Sequence, residues 1–555
     1  MSAMMSDPLP WDNDPADGAS NKHAHGDRPR TSSFGTPTNP GGQGPTSTKG
    51  PKPSRNAIQR LMAIAEDRVV PLRTTDGSLM AAKKDKPHLV YPLNGLNSEA
   101  LVPVFLDYVN TYGKPAPKEA MNALRSLVEM QAVASEPCVV YQRAAWVDGT
   151  IWVDTGWSDG SAIRVNEDGW QVVSSCPVHF SRSQVTGGVP DPRGVDGNTQ
   201  ALKEFVHCAE EDLPLVWAVL VTTWFTDVPQ PVFSVLGGAD SGKSTTMRFL
   251  LDLVDPSTTQ AGSTLSKDER VLKALAAARR VMCFDNVSGV DQATSDLLAR
   301  TATGGEMASR ALYTNDAAHI TQLMRPVWLN GIMDGFHRGD LASRAVRVEL
   351  HPVAPEKRVS VEELKARWAD LRPAIFAGLL DLMVDVLARR HAMRPAGKHR
   401  NVEFERNLLT IDVLWSTSGA QRLEEHTQVL AETVLDGSTF GMVWRRAVAQ
   451  EREHWQPSLF EGEDGVTQVS PRYVGSVVPE ARTERLFQRH TTAQLMDIIN
   501  TFAEDGEKRM MPQTTKRFGE ELLRIRPQLE SVLGVRVEKT RKGQQRYYVI
   551  EDLRR

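Results

Sequence analysis

The residues with the clearest capacity for chemistry form a glycine-rich segment between two apolar stretches. In PVFSVLGGADSGKSTTMRFLLDLV, residues 237–244 follow the pattern G-x-x-x-x-G-K-S, after a run typical of a buried strand and before one typical of an amphipathic helix. Glycine lets backbone N–H groups turn toward a phosphate, and the amino end of the following helix favours the same anion. Lys243 is then placed to reach the β- and γ-phosphates, and Ser244 to ligate Mg²⁺. The segment predicts a P-loop that binds ATP with Mg²⁺ through these residues: Gly237, Gly238, Ala239, Asp240, Ser241, Gly242, Lys243, Ser244 and Thr245.

Two later apolar runs end in polar residues that suit the same site. RRVMCFD ends in Asp285, about forty residues after Ser244. P-loop enzymes place a carboxylate there as the second protein contact to Mg²⁺; the alternative is a buried strand whose terminal Asp caps the next element. RPVWLN ends in Asn330, whose amide can orient the attacking water or sense the γ-phosphate. The alternative is a turn residue before Gly331.

Arg344 and Arg347 surround the next apolar run, in DLASRAVRVEL. An arginine inserted into the nucleotide site of a neighbouring subunit stabilises the charge of the transition state. Arg344 is the candidate for this role, and a surface ion pair is the equally simple alternative.

The properties of the whole chain limit its class. Its 555 residues exceed a single core and suggest three or four domains, and a net charge of −4 gives no overall basic field, so nucleic-acid contact has to be local. Four cysteines without zinc-finger spacing predict reduced thiols and no structural zinc. The start lacks the features of a secretory signal, and no run of about 18 apolar residues occurs. We therefore expect a cytoplasmic protein without a membrane partner.

Periodicity divides the chain into regions. Strand and helix patterns alternate between Ala201 and His351, which is typical of an α/β sheet covered on both faces. We predict an α/β protein: a P-loop core, an N-terminal helical and small β unit, and a C-terminal helical plus winged-helix-like domain. The predicted regions are 1–57 (disordered Pro/Gly-rich tail), 58–137 (helical N-terminal domain), 138–200 (small β unit and linker), 201–355 (P-loop ATPase core), 356–486 (helical region and linker) and 487–555 (basic winged-helix-like domain).

Four segments in order, GGADSGKS, VMCFDNVSG, RPVWLNG and DLASRAVRVEL, resemble superfamily 3 helicases of the AAA+ class, of the phage and plasmid primase-helicase C-terminal type. The likeness to ATP-binding or helicase proteins of actinobacterial phages, prophages and mobile elements covers about residues 140–355 and extends more loosely to residue 555. The resemblance implies these roles: Lys243 and Ser244 in Walker A, Asp285 as Walker B, Asn330 as sensor 1, Arg344 as the arginine finger in trans and Arg347 as a secondary candidate. It also implies a hexameric ring that moves single-stranded DNA through its pore.

Two positions depart from that family pattern. Asn286 follows Asp285 where many AAA+ proteins have a Glu that activates water. An amide can position a water but cannot take its proton, so the general base stays open, and Asp291 is near only in sequence. The segment matching the pore hairpin, ALYTNDAAHITQLMRP, has no Lys. His319, near its expected tip, is the hypothetical DNA contact, with an ordinary turn histidine as the alternative.

The C-terminal region is locally basic. Residues 508–546 carry a net charge of +7, and VRVEKTRKGQQRYYVI predicts a β-hairpin that follows helical patterns, as in a winged helix. Lys539, Arg541 and Lys542 near its turn are the predicted contacts to DNA phosphates. The alternative is a solvated helical cap whose edge strand is protected by lysine.

Together these features predict an ATP-dependent DNA helicase or translocase of phage or mobile-element replication. It would act as a homo-hexameric ring on single-stranded or forked DNA, with ATP hydrolysed between subunits and with other replication proteins as further partners. Two alternatives stay open: an ATP-switched replication initiator or helicase loader that does not separate strands, and a signalling or scaffold P-loop ATPase.

Overall fold

The computed structural model describes residues 55–95, 98–259, 262–310, 318–331, 339–354, 356, 358–397, 399–453, 455–461, 467–473, 485–542 and 545–554. The tail predicted over residues 1–57 lies outside these ranges except for its last three residues, which begin the first helix.

The N-terminal region mixes helices with strands. Its elements are α1 (Arg55–Arg68), β1 (Val69–Thr74), β2 (Leu79–Lys83), β3 (Lys86–Pro92), α2 (Val102–Tyr112), α3 (Lys118–Ala134), β4 (Pro137–Cys138), β5 (Val140–Tyr141), β6 (Ala144–Val147), β7 (Thr150–Asp154), β8 (Ala162–Asn166), β9 (Gly169–Val173) and β10 (His179–Ser181). The prediction of a helical segment over 58–137 is therefore wrong for β1 to β3. These strands are short, and Gly77, with φ +84°, makes a turn between β1 and β2.

Two sheets organise this region. Strands β4-β1-β2-β3-β10-β5 form one sheet in that order, so it crosses the boundary predicted between residues 137 and 138. Strands β6 to β9 form a separate antiparallel sheet, which lies within the small β unit predicted over 138–200. Arg143 is 3% exposed and ties this sheet to the next region: its guanidinium donates to the carbonyls of Asp154, Gly187 and Pro256 and to the carboxylate of Asp255.

The central region alternates helices and strands, as predicted. After two short 3₁₀ helices at Thr199–Glu204 and Glu210–Asp212, its elements are α4 (Leu213–Thr223), β11 (Val232–Leu236), α5 (Lys243–Val254), α6 (Glu269–Ala278), β12 (Met282–Phe284), α7 (Gln292–Thr303), β13 (Gly305–Arg310), β14 (Ala318–Leu323), β15 (Val327–Gly331), α8 (Gly339–Ala342) and β16 (Ala345–Glu349). Strands β12-β15-β11-β16 form a parallel sheet in that order. Every residue of α4, β11 and β15 is buried. The chain therefore has a mixed α/β fold, and the carboxyl ends of the four parallel strands lie along one edge of this sheet.

A helical region follows, with α9 (Val361–Arg389), a 3₁₀ turn at Arg390–Ala392, α10 (Val402–Trp415), α11 (Gly419–Asp436) and α12 (Thr439–Glu453). These helices agree with the helical part of the region predicted over 356–486. Two paired strands follow within the region predicted as helical region and linker over 356–486: β17 (Trp455–Glu461) and β18 (Thr467–Tyr473).

The C-terminal elements are β19 (Arg489–Thr491), α13 (Thr492–Asn500), α14 (Thr515–Leu533), β20 (Val535–Lys542) and β21 (Gln545–Asp552). The predicted hairpin is confirmed, and it binds β19 in a sheet of order β19-β21-β20. The long helix α14 precedes the hairpin and contains Pro527. This sheet shares a hydrophobic core with α12, α13 and α14. Within the described residues, no helix is long and apolar enough to cross a membrane.

Candidate functional site

The glycine-rich loop (residues 237–242) joins the buried strand β11 to helix α5, which begins at Lys243. Gly237 has φ +151° and Gly242 has φ +74°, values that side chains disfavour. A Cβ at Gly237 would lie 2.6 Å from Ser241 Oγ and 2.8 Å from the carbonyl oxygen of Leu350. By contrast, a Cβ at Gly238 or Gly242 would meet no atom within 4 Å, so the loop has open space beside its backbone. Gly237 thus permits a tightly packed turn, whereas the backbone at Gly238 and Gly242 is accessible.

Lys243 is the cationic side chain of this loop. Its Nζ donates to the carbonyl oxygens of Gly237, at 3.0 Å, and Gly238, at 2.7 Å, so the ammonium lies against the loop itself. Ser241 Oγ also donates to the Gly238 carbonyl, at 3.0 Å. The charge therefore lies beside the amino end of α5, where the helix dipole adds to the attraction for an anion.

Ser244 and Asp285 meet across the sheet. Asp285 directly follows β12, which is separated from β11 by β15, yet Ser244 Oγ donates to Asp285 Oδ1 at 2.8 Å. The backbone of Asp285 is held by the carbonyl of Ser263, at 3.1 Å. Gly262, with φ +96°, lets its segment pack here, because a Cβ on it would lie 2.9 Å from Asp285 Cβ. A hydroxyl and a carboxylate are oxygen ligands that suit Mg²⁺, so this pair fits the metal that the sequence implies.

Asn330 lies in the strand between those that carry the loop and Asp285. It is 1% exposed, and its Oδ1 accepts a hydrogen bond from the N–H of Asn286 at 2.7 Å. Gly331 continues β15 and pairs with Leu236, so the alternative of an Asn-Gly turn is wrong. Asn330 Nδ2 is buried and has no hydrogen-bond partner among the described residues. Leaving such a donor unsatisfied costs about 1–3 kcal/mol, which a bound acceptor would offset.

Asn286 and Asp291, which follow Asp285 in the sequence, have different surroundings. Asn286 has a left-handed backbone with φ +55°, fixed by its bond to Asn330. Asp291 caps α7, accepting from the N–H of Thr294 at 2.9 Å. The Lys267 ammonium beside it, together with this cap, holds the pKa of the Asp291 carboxyl far below its usual range. A carboxylate this acidic is a poor proton acceptor, so its chemistry does not favour Asp291 as the general base.

Arg344 lies at the other edge of the sheet. Its carbonyl accepts from the N–H of Val232, at the start of β11. Five residues of strand at about 3.3 Å each separate this edge from the loop by roughly 16 Å. Arg344 is 9% exposed, and Arg347, within β16, is half-buried. The structure therefore does not bring Arg344 to the loop of its own chain, and a role in a neighbouring subunit stays a prediction.

The predicted DNA contacts lie elsewhere in the chain. His319 lies within β14, paired with Ser309 of β13, and residues 311–317 of the predicted pore hairpin lie outside the described residues. Lys539 and Arg541 are exposed on β20, and Lys542 ends that strand. Among the described residues, no cluster of three or more His, Cys, Asp or Glu side chains is arranged to hold a metal ion.

Part of the chain matches a known protein family. Residues 198–418 match the family model described as the actinomycete integrative conjugative element replication protein. This match spans about two fifths of the chain and includes the glycine-rich loop, Asp285, Asn330 and Arg344. No curated protein matches the sequence.

Two solved structures show a remote likeness. The A form apo structure of the NrS-1 C-terminal region is 9% identical, with 89% of this chain and 99% of that chain covered and a TM-score of 0.39. The X-ray structure of JCV helicase is 17% identical, with 42% and 64% covered and a TM-score of 0.22. At these TM-scores neither structure defines the fold of this chain.

Proposed function

We propose that this chain is an ATP-dependent DNA helicase or translocase that acts in the replication of a mobile element. The observation that carries the proposal is the contact between Ser244 and Asp285 beside a glycine-rich loop that also holds Lys243. The family match over residues 198–418 supports a role in replication. The unsatisfied amide of Asn330 at the same sheet edge is a further group suited to a bound nucleotide.

Each residue has a distinct task in this proposal. The backbone of residues 237–242 and the ammonium of Lys243 bind the phosphates of ATP, the substrate. Ser244 and Asp285 hold Mg²⁺, which neutralises charge on the phosphate oxygens when bound. Asn330 donates through Nδ2 to a phosphate oxygen or to the attacking water, while its Oδ1 keeps Asn286 in position. Asn286 orients water without accepting its proton.

The DNA is contacted outside this pocket. We propose that residues 487–555 bind DNA through their basic hairpin and that His319 contacts the translocating strand. The chain assembles as a homo-hexameric ring, in which Arg344 completes the ATP site of the adjacent subunit. The burial of Arg344 in the single chain means that this role requires a shift of the side chain on assembly.

The functional test is ATP hydrolysis by the wild-type chain and by Lys243→Ala, each with and without single-stranded DNA. We expect DNA to raise the wild-type rate and Lys243→Ala to be inactive in both conditions. A wild-type rate that DNA leaves unchanged would overturn the motor proposal and favour a scaffold ATPase.

Subunit mixing tests the placement of Arg344. Lys243→Ala and Arg344→Ala chains are each expected to be nearly inactive, because every site then lacks either its loop lysine or its neighbour's arginine. Mixed rings contain some sites with both residues intact, so mixing should restore part of the activity. If mixing restores nothing while both variants still assemble, Arg344 does not act between subunits.

A second candidate is an ATP-switched initiator or helicase loader that remodels DNA without separating strands. It is favoured by Asn286, an amide that cannot accept a proton, at the position of a usual catalytic Glu. Displacement of a labelled strand from forked DNA distinguishes the two, since only the helicase releases the strand with continued ATP hydrolysis.

A further inference from the structure

The hairpin of β20 and β21 has two chemically different sides. Residues directly opposite in an antiparallel pair project to the same side, and successive residues alternate. Tyr548 pairs with Lys539, and Arg546 pairs with Arg541, so these four residues share one side. Tyr548 is 2% exposed and belongs to the core that includes α14, which identifies this as the helix-facing side.

Basic residues dominate the helix-facing side near the tip of the hairpin. Lys539, Arg541 and Arg546 are all exposed there, and Lys539 Nζ lies 5.9 Å from the centre of the Tyr548 ring. The opposite side is mixed. It carries Glu538 and Glu551, which lie an odd number of positions from Lys539 and Arg546 along their own strands.

The first turns of α14 lie next to this basic group. A Cβ on Gly519 would be 3.0 Å from the Tyr548 hydroxyl, so the helix and the hairpin approach closely at this point. Lys516 and Arg517 are exposed one turn or less before Gly519, toward the amino end of the helix. Because α14 runs toward the base of the hairpin and β20 runs away from it, the amino end of α14 and the hairpin tip lie on the same end of the unit.

We propose that double-stranded DNA binds this helix-facing surface, defined by Lys516, Arg517, Lys539, Arg541 and Arg546. The inference rests on the proposed role of residues 487–555 in DNA binding. It adds which side of the hairpin contacts DNA, that α14 takes part, and that the bound DNA is a duplex. Arg546 joins the surface, although its position in the sequence beyond the turn does not reveal it. The surface anchors the chain to the duplex, separately from the strand that the motor moves.

The shape of the surface favours a duplex over a single strand. An exposed helix end fits the major groove of B-DNA, and flanking basic residues reach the adjacent phosphates. Non-specific single-strand sites typically stack bases on exposed aromatic rings. Among the described residues of the helix-facing side, the aromatic residue is Tyr548, which is covered by α14.

The test measures binding of the full-length, nucleotide-free chain to a short labelled duplex and to a single strand of the same length, by fluorescence anisotropy over a range of salt. Arg546→Ala should weaken duplex binding roughly fivefold and reduce the salt dependence by about one released counterion. Arg546→Lys should keep most of the affinity because it retains the charge.

Arg489→Ala is the matched control. Arg489 is exposed in the same sheet and pairs with Val549, so it lies on the opposite side of the hairpin. Its loss should leave duplex binding within about twofold of wild type, because it contacts no phosphate there.

Equal losses in Arg546→Ala and Arg489→Ala would overturn the proposal, since they would show a diffuse charge effect. An Arg546→Ala loss confined to the single strand would overturn the choice of duplex. ATP hydrolysis without DNA is measured on the same samples. A wild-type chain that binds duplex through Arg546 but never hydrolyses ATP would refute the proposed motor and leave this surface standing.

Discussion

The candidate nucleotide site and the C-terminal basic surface are built in opposite ways. The first lies at the end of buried parallel strands, and its side chains are held by specific contacts, such as Ser244 to Asp285 and Asn286 to Asn330. The second consists of exposed Lys and Arg side chains on the rim of a small sheet. Binding at the nucleotide site therefore depends on precise geometry, whereas binding at the basic surface depends on charge. We expect large, salt-independent effects from single changes at the nucleotide site and graded, salt-dependent effects at the basic surface.

The largest effect should come from Lys243→Ala. The variant removes the ammonium that lies on the loop carbonyls, and with it the cation for the β- and γ-phosphates. ATP hydrolysis should fall by about a hundredfold or more. Lys118→Ala, an exposed lysine of α3, is the matched control and should keep the wild-type rate. A Lys243→Ala enzyme with near-normal turnover would place the chemistry elsewhere.

Asp285→Asn should follow, with a loss of roughly ten- to a hundredfold and a higher Mg²⁺ requirement. The amide keeps the shape and the acceptor oxygen that faces Ser244 but removes the charge that binds the metal. The control is Asp291→Asn, which weakens the cap of α7 and the pair with Lys267. Steady-state rates over a Mg²⁺ titration check both. If Asp291→Asn instead abolished turnover, Asp291 would be a candidate base after all.

Asn330→Ala should lower turnover by about tenfold while leaving ATP affinity within about twofold, because it removes a positioning amide rather than a phosphate cation. The control is Asn407→Ala, which truncates a fully buried amide of α10 that hydrogen-bonds Arg390. Asn407→Ala should reduce thermal stability and spare turnover. Measuring turnover and melting temperature on both variants separates the two effects. If Asn330→Ala lowers the melting temperature but not turnover, the role of Asn330 is structural only.

The sequence predicts more of the nucleotide site than of the basic surface, because more of the nucleotide site depends on residues that are close in the chain. The glycine-rich loop depends on neighbours in the chain, so its turn, its following helix and its lysine are evident from a single segment. Asp285 follows β12 and Asn330 lies near the carboxyl end of β15, and their proximity follows once those strands are assumed parallel. Gly262 gives no such signal, because its contact with Asp285 depends on how a distant segment packs.

At the C-terminus the hairpin itself is evident, but the grouping of its charges is not. Arg546 joins Lys539 and Arg541 only through the register of the two strands, and the close approach of Gly519 to Tyr548 depends on packing. The short strands β1 to β3 are also not evident from the sequence. Strand β2 pairs with its neighbours β1 and β3, and β1 and β3 join the sheet further through β4 and β10, which lie farther along the chain. The stability of a short strand depends on the strands beside it as well as on its own pattern.

The smallest effects should come from single changes at the basic surface. Lys539→Ala is expected to weaken duplex binding about threefold at low salt, with the loss shrinking as salt rises. Hydrolysis of ATP without DNA should be unchanged. Glu538→Ala removes an opposite charge from the other side of the same strand and should not weaken binding. Binding titrations at several salt concentrations check this pair. A salt-independent loss in Lys539→Ala would indicate damage to the fold instead of a lost phosphate contact.

The central claim is that the loop after β11 binds ATP together with Mg²⁺. Calorimetric titration of the full-length chain with ATP tests it most directly. We expect a single site per chain, weakened by omission of Mg²⁺ and weakened at least about tenfold in Lys243→Ala. Equal binding by the wild-type chain and Lys243→Ala, or no binding by either, would contradict the assignment of this loop.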